Sequence, residues 1–361
     1  VLMARRPAAD RPEALDYLDR LVDHEVSSVG ISAGDVDGLD LDNVGAVAEA
    51  LDVAHSALKV VHVTGTNGKG TVCRLIEALV EAAGLRVGCY MSPEGSVNER
   101  IRLDGSPVSD EVLADAVATV RGVTEAVGRE LTAFEAVTLS ALVAFADAPV
   151  DVAVVEVGLL GRFDATNVVH ADVAVITNIG GDHTDFREGW REHVAWEKAG
   201  IVEAGGVAVV GPLDDGLLRF VEAEQPEEIR RWEHDFACDD NRLAVGGRAL
   251  EVVTSRGTRL ETFVPLHGDH QGENVALAAE AAEWILGGRL DVEASVDALA
   301  GVTVPGRVEV VRTEPIVIVD GAHNAEAAAV LGRTLSEGFI AAGRRILVLG
   351  TLVGRDPARF L

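Results

Sequence analysis

The segment KVVHVTGTNGKGT (59–71) constrains this chain more than any other, because few folds accommodate it. KVVHV (59–63) is a Val-rich run that reads as a buried strand, and it is followed by a Gly-rich turn. An amphipathic helix is expected from Thr71 to about Ala83. A strand that passes through glycines into a helix opens a βαβ unit, and βαβ units build parallel sheets. RVGCY (86–90), VDVAVVEV (150–157), DVAVITN (172–178) and GVAVV (206–210) read as further strands. Helical stretches near 110–128, 134–147 and 189–203 alternate with them, so the expected fold class is α/β with a largely parallel sheet.

The same segment carries chemistry. Gly65, Gly68 and Gly70 let backbone amides turn inward at a helix N-terminus, which makes a positive nest for phosphates. Lys69 can reach terminal phosphates, and the Thr71 hydroxyl suits Mg²⁺. The spacing departs from the standard Walker form, since Gly70 separates the lysine from the threonine. An ordinary Gly-rich βα turn is the competing reading. The strand before it, the helix after it and the lysine within it favour phosphate binding.

From about residue 240 the pattern changes. RLAVGGRALEVVTSRGTRLETFVPL reads as a β-meander (near 240–265), with turns at Gly246-Gly247 and Arg256-Gly257. A helix from Asn274 to about Leu286 follows. Pro305-Gly306 breaks the chain, and a second α/β unit then reads as strand 316–320, helix 324–338 and strand 345–350. The expected division is therefore a domain at 1–302 and a smaller one at 303–361. The latter is short for an independent domain, so it reads as a truncated unit or as a tail packed on the first.

The formal net charge of −28, from 59 acidic and 31 basic residues, disfavours nucleic acid and anionic membranes as partners. No apolar run approaches the roughly 20 residues that span a bilayer, and the N-terminal stretch lacks a signal-peptide core. Cys73, Cys89 and Cys238 show no metal or redox spacing, which suits a reducing cytoplasm.

Three further positions bear on mechanism. Glu156 falls at the C-terminal end of a buried strand, where α/β sheets bind ligands, and a metal ion is a fitting partner for its charge. In ITNIGGDHTDF (176–186), His183 follows another strand at the same sheet edge and is a candidate metal ligand. Only three of the 31 basic residues are lysines: Lys59, Lys69 and Lys198. Lys198, if buried near metal, can lose its proton and take up CO₂ as a carbamate, whereas a helix-surface lysine is the plainer alternative.

Taken together, HVTGTNGKGT (62–71), Ser92-Pro93 with NERIRLDG (98–105), LTAFEAVT (131–138), EVGLLGRFDATN (156–167), DHT (182–184), EKAGI (197–201), HGDHQGENVALA (267–278), PGR (305–307) and DGAHN (320–324) resemble the Mur ligase superfamily. The resemblance is to its folylpolyglutamate synthase / dihydrofolate synthase branch and spans about residues 15–355. It implies a P-loop-containing central domain with a smaller C-terminal α/β domain. It also implies an ATP-dependent amide ligase of folate biosynthesis and one-carbon metabolism, joining L-glutamate to a pterin-type acid through an acyl phosphate, as a cytoplasmic monomer.

By that resemblance Asn67, Gly68, Lys69, Gly70 and Thr71 cradle the ATP phosphates, and Asn274, Arg307 and Asp320 hold ATP. Ser92, Glu156 and His183 match Mg²⁺ ligands, with Thr71 beside them and two ions expected. Lys198 matches a carbamylated lysine, and Lys69, Lys198 and His323 are the expected catalytic groups. Thr132, Phe163, Asp164 and Ala165 match positions that contact the pterin-bearing substrate. Glu94, Leu160 and Phe163 depart from the family pattern, which usually has histidine, glycine and leucine there. A ligase acting on a non-folate acid and an inactive nucleotide-binding fragment are the alternatives.

Overall fold

The computed structural model describes residues 11–22, 40–53, 58–93, 95–182, 184, 186–339 and 343–350. Glu94 and His183 lie outside these residues.

Helices α1 (Arg11–Leu18) and α2 (Asp42–Leu51) precede strand β1 (Lys59–Thr64) and helix α3 (Lys69–Ala82). Strand β2 (Val87–Tyr90) leads into a hairpin of β3 (Ile101–Leu103) and β4 (Ser106–Pro107). Helices α4 (Asp110–Val127) and α5 (Ala133–Asp147) follow, then β5 (Val152–Glu156) and β6 (Val173–Ile176). Helix α6 (Trp190–Ala199), β7 (Val207–Val210), α7 (Asp215–Ala223) and β8 (Glu228–Arg231) complete the main sheet.

That sheet has eight strands in the order β4-β3-β2-β5-β1-β6-β7-β8. The run from β2 to β8 is parallel, and the β3–β4 hairpin adds an antiparallel edge. The chain steps from β1 across β5 to reach β2, and from β5 across β1 to reach β6. Strand β1 is therefore the switch point, and its C-terminal end is where such sheets open a ligand crevice.

Both faces of the sheet are covered. Val61 and Val63 point into a core shared with α3 and α8, whereas Val60 belongs to a second core with α2, α4 and α5. A third cluster lies under α6 and α7. A strand covered on both faces has no polar side, which is why these strands read as continuous Val-rich runs.

Beyond the sheet, β9 (Ala237–Ala244), β10 (Gly247–Val253) and β11 (Arg259–Val264) form an antiparallel meander. Its inward side chains, Leu250, Val252, Leu260 and Val264, join the core around α8 (Gln271–Leu286), and α9 (Val292–Ala300) packs on β11. Strands β12 (Glu309–Thr313) and β13 (Ile316–Val319) then pair as a separate two-stranded sheet, followed by α10 (Ala325–Gly338). The parallel α/β fold with a smaller C-terminal α/β segment is thus present.

Several boundaries differ from the sequence expectation. Helix α3 begins at Lys69 rather than Thr71, because Gly68 takes the left-handed conformation (φ +88°) and caps it. Helix α8 begins at Gln271, three residues before the expected Asn274. Residues 345–350 form no strand: no strand pairs with them among the described residues, and Ile346, Leu347 and Val348 are exposed. An apolar run becomes a strand only where a neighbour accepts its ladder hydrogen bonds. Helices α1, α2, α7 and α9 and strands β3, β4, β8 and β12 carried no sequence expectation.

Candidate active site

Three loops meet at the C-terminal edge of β1, β5 and β6. The Gly-rich loop after β1 is stitched to the loop after β6. Asn67 N donates to Asn178 Oδ1 (3.0 Å), while Asn178 Nδ2 (3.0 Å) and Thr177 Oγ1 (2.6 Å) donate to the Asn67 carbonyl. Gly65 has φ +149°, and a Cβ there would run into the Thr177 side chain, so only glycine fits. Gly68 packs against Asn274, whose Oδ1 would sit 2.7 Å from an added Cβ. Lys69 curls back over the loop and donates from Nζ to the carbonyls of Gly65 (3.0 Å) and Thr66 (3.4 Å).

Glu156 ends β5 with 6% exposure. Its Oε2 accepts from Ser92 N at 2.8 Å, and its carboxylate lies against Gly70, 3.5 and 3.7 Å from where a Cβ would stand. Thr71 is buried one residue further on. Thr71, Ser92 and Glu156 line the same cavity, and together they offer oxygen donors, which suit a hard ion such as Mg²⁺ that keeps several of its waters. No group of three His, Cys, Asp or Glu side chains placed to hold a metal occurs among the described residues, and His183 is not among these.

Lys198 and Glu197 sit side by side, both buried, near the C-terminal end of α6. Burial, reinforced by the nearby Lys69 charge, lowers the Lys198 ammonium to about 7. A substantial neutral fraction is then available near pH 7, as carbamate formation requires. Burial likewise pushes Glu197 up to about 7, and neither of its carboxylate oxygens has a hydrogen-bond partner among the described residues. The sequence pointed to Lys198 alone, because a buried, unpaired glutamate has no local signature.

The C-terminal segment closes the site from the far side. Asp320 accepts from Val308 N and Ala322 N, both at 2.8 Å. His323 holds Gly321 O through Nδ1 (2.9 Å) and Asp182 Oδ2 through Nε2 (3.1 Å). Glu326 Oε1 accepts from Gly181 N at 3.1 Å. Asn67, Gly68, Lys69, Gly70, Thr71, Ser92, Glu156, Asn274, Arg307, Asp320 and His323 all line one cavity of about 670 Å³. Trp232, Asn241, His270 and Glu273 also line it; His270 and Glu273 fall within the 267–278 motif, but the sequence assigned no role to any of the four. Burial raises Glu273 to about 7, with the Asp269 and Glu233 carboxylates adding to it.

Thr132, Phe163, Asp164 and Ala165 do not line this cavity. Thr132 caps α5 through a capping box with Glu135, and Phe163 stands 6.1 Å from the Trp196 ring. Asp164 is buried, and its carboxylate accepts from Leu159 N (2.7 Å), Thr166 N (3.0 Å) and Thr166 Oγ1 (2.5 Å). Those bonds hold the 159–166 loop in shape. Leu160, in that loop, is buried with a left-handed φ of +58°, the conformation glycine adopts without strain.

Residues 63–282 match the model of the Mur ligase middle domain. The chain is 36% identical to the dihydrofolate synthase/folylpolyglutamate synthase of Mycobacterium tuberculosis, over 92% of this chain and 72% of that protein. It is 34% identical to the Escherichia coli protein described by the same words, over 99% and 80%. Among solved structures, M. tuberculosis folylpolyglutamate synthase with ADP and AMPPCP superposes with a TM-score of 0.82 at 34% identity, covering 92% of this chain and 75% of that one. E. coli FolC in complex with DHPP and ADP gives 0.79 at 34% identity, covering 94% and 77%. With the family model covering more than half of its length, the chain belongs to the Mur ligase family, in the branch of the dihydrofolate synthase/folylpolyglutamate synthases.

Proposed function

We propose that the chain joins L-glutamate to a pterin-bearing acid, dihydropteroate or a folate, with conversion of ATP to ADP and phosphate. The carrying observation is the single cavity in which the Gly-rich loop, the end of β5 and the segment from Arg307 to Glu326 converge. A substrate carboxylate oxygen attacks the γ-phosphorus and ADP leaves. The glutamate amine then attacks the acyl carbon of the acyl phosphate and gives up a proton, the acyl C–O bond breaks, and phosphate departs with that bond's electron pair.

In this reading the amides of 67–71 and Lys69 hold the phosphates, with Lys69 giving up its contacts to Gly65 and Thr66 in favour of phosphate oxygens. Asn274, Arg307 and Asp320 hold the rest of the nucleotide, and His323 faces the reacting groups. Thr71, Ser92 and Glu156, with His183, would hold Mg²⁺, which when bound spreads the negative charge of the transferring phosphoryl group. Lys198 as its carbamate would add one more oxygen ligand. Thr132, Phe163, Asp164 and Ala165 would shape the acid subsite outside the nucleotide cavity.

Leu160 and Phe163 support a second reading, in which the same chemistry serves a non-folate acid. The test measures ATP-dependent phosphate release with L-glutamate and a panel of dihydropteroate, tetrahydrofolate and unrelated carboxylic acids. Release with either pterin supports the first reading. Release only with an unrelated acid overturns it in favour of the second, and release with no acid overturns ligation itself.

A further inference from the structure

Asn67 and Asn324 stand 257 positions apart in sequence, yet their side chains meet: Asn324 Nδ2 donates to Asn67 Oδ1 at 3.0 Å. An asparagine amide has a donor end and an acceptor end, so its orientation follows from its partners. Here the chain of partners starts from a group that has no choice. The backbone N–H of Ala327, in the first turn of α10, donates to Asn324 Oδ1 at 2.8 Å. That bond makes Oδ1 the inward end of Asn324, leaving Nδ2 to point at Asn67. Asn67 must then offer its oxygen in return. Its own Nδ2 is left over, has no partner among the described residues, and belongs to a residue lining the cavity.

We propose that Asn324 is a positioning residue that locks the Asn67 amide with its N–H groups toward the nucleotide phosphates. Asn324 is itself buried, so it acts through Asn67 rather than by touching the ligand. The proposal rests on the nucleotide reading of the cavity. It explains why a C-terminal helix cap lies against the Gly-rich loop: the relay aims a neutral donor at an anion, and the opposite amide orientation would present an oxygen to it.

The discriminating variants are Asn324→Asp and Asn324→Ser. Asn, Asp and Ser are comparable helix caps, so a purely structural role makes all three nearly equivalent. With Asn324→Asp the carboxylate can only accept, so Asn67 must turn its Nδ2 to it and present Oδ1 to the phosphates. Calorimetric ATP affinity, measured on the full chain with Mg²⁺ present, should fall about tenfold or more for Asn324→Asp, the scale of a lost hydrogen bond to a charged group. Asn324→Ser removes the contact without reversing it and should cost only about threefold. Thermal unfolding should be alike for both.

The added charge of Asn324→Asp could repel ATP on its own, so the pair is repeated in an Asn67→Ala background. There the Asp and Ser variants should bind ATP within about twofold of each other, because no amide remains to be turned. Equal affinities in the native background overturn the proposal, as does an undiminished penalty for Asn324→Asp beside Asn67→Ala. Failure of the unsubstituted protein to bind ATP would overturn the nucleotide reading instead.

Discussion

Gly65 is a position where one methyl group should disturb both the fold and nucleotide binding. With φ at +149°, alanine there costs roughly 1–3 kcal/mol in backbone strain. The added carbon would also overlap Thr177 Oγ1, reach 2.9 Å from Thr177 Cβ and 3.1 Å from Thr177 N. Thr177 cannot retreat freely, since its N–H is bonded to Thr64 O (2.9 Å) and its hydroxyl to Asn67 O (2.6 Å). Overpacking of this kind costs roughly a further 1–3 kcal/mol, and either the loop or the end of β6 must shift. Gly65→Ala should therefore lower the urea midpoint measurably and weaken ATP binding more than tenfold. Gly84→Ala is the comparison: φ is +80°, but nothing lies within 4 Å of the added carbon. It should cost about 1–2 kcal/mol of stability through strain alone and leave ATP affinity unchanged. Thr177→Ala should relieve part of the overlap, so combining it with Gly65→Ala should cost about 1 kcal/mol less than the two separate losses. A Gly65→Ala variant with native midpoint and native ATP affinity would refute the reasoning.

Other groups give separate tests. Lys198→Arg keeps a positive charge but cannot form a carbamate; turnover should be lost, and the native enzyme should slow in CO₂-depleted buffer and recover with bicarbonate. Full activity of Lys198→Arg would remove the carbamate from the mechanism. Glu273, raised to about 7 in the folded protein, binds a proton there that the unfolded chain releases near its ordinary value of 4.5. Its contribution therefore lowers stability as pH rises from about 4.5 to about 7, and the loss persists above that. Glu273→Gln should raise the urea midpoint at pH 8 and hardly change it at pH 4.5; equal gains at both would contradict the assignment. Arg248 is buried and bonds Asn241 through Nε (2.7 Å) and Glu337 of α10 through Nη1 (3.0 Å). Because Glu337 is half exposed and can regain water, Arg248→Met should cost only roughly 1–2 kcal/mol. The loss should appear as faster hydrogen exchange in α10, and unchanged exchange there would show that Arg248 does not hold that helix.

Local order was legible in the chain because its causes are local. Val-rich runs such as VAVVE (152–156) and VAVI (173–176) mark strands covered on both faces, and the glycines of 65–70 mark a turn that only small residues can make. The run at 345–350 has the same apolar character yet forms no strand, because its ladder partner has to come from elsewhere in space. The phosphate-type loop, Glu156 and Lys198 could be singled out from sequence by residue type and position relative to strands. The pairing of Asn67 with Asn324, of Asp182 with His323 and of Gly181 with Glu326 had no sequence signal, since each joins groups more than 140 positions apart. The amino-acid sequence by itself determined the βαβ order and the glycine loop, whose requirements act over a few residues. Only the tertiary structure decided which side chains close the cavity and what Lys198 and Glu197 are worth as acids. Burial, neighbouring charge and hydrogen-bond partners arise only when distant segments of the chain are packed together.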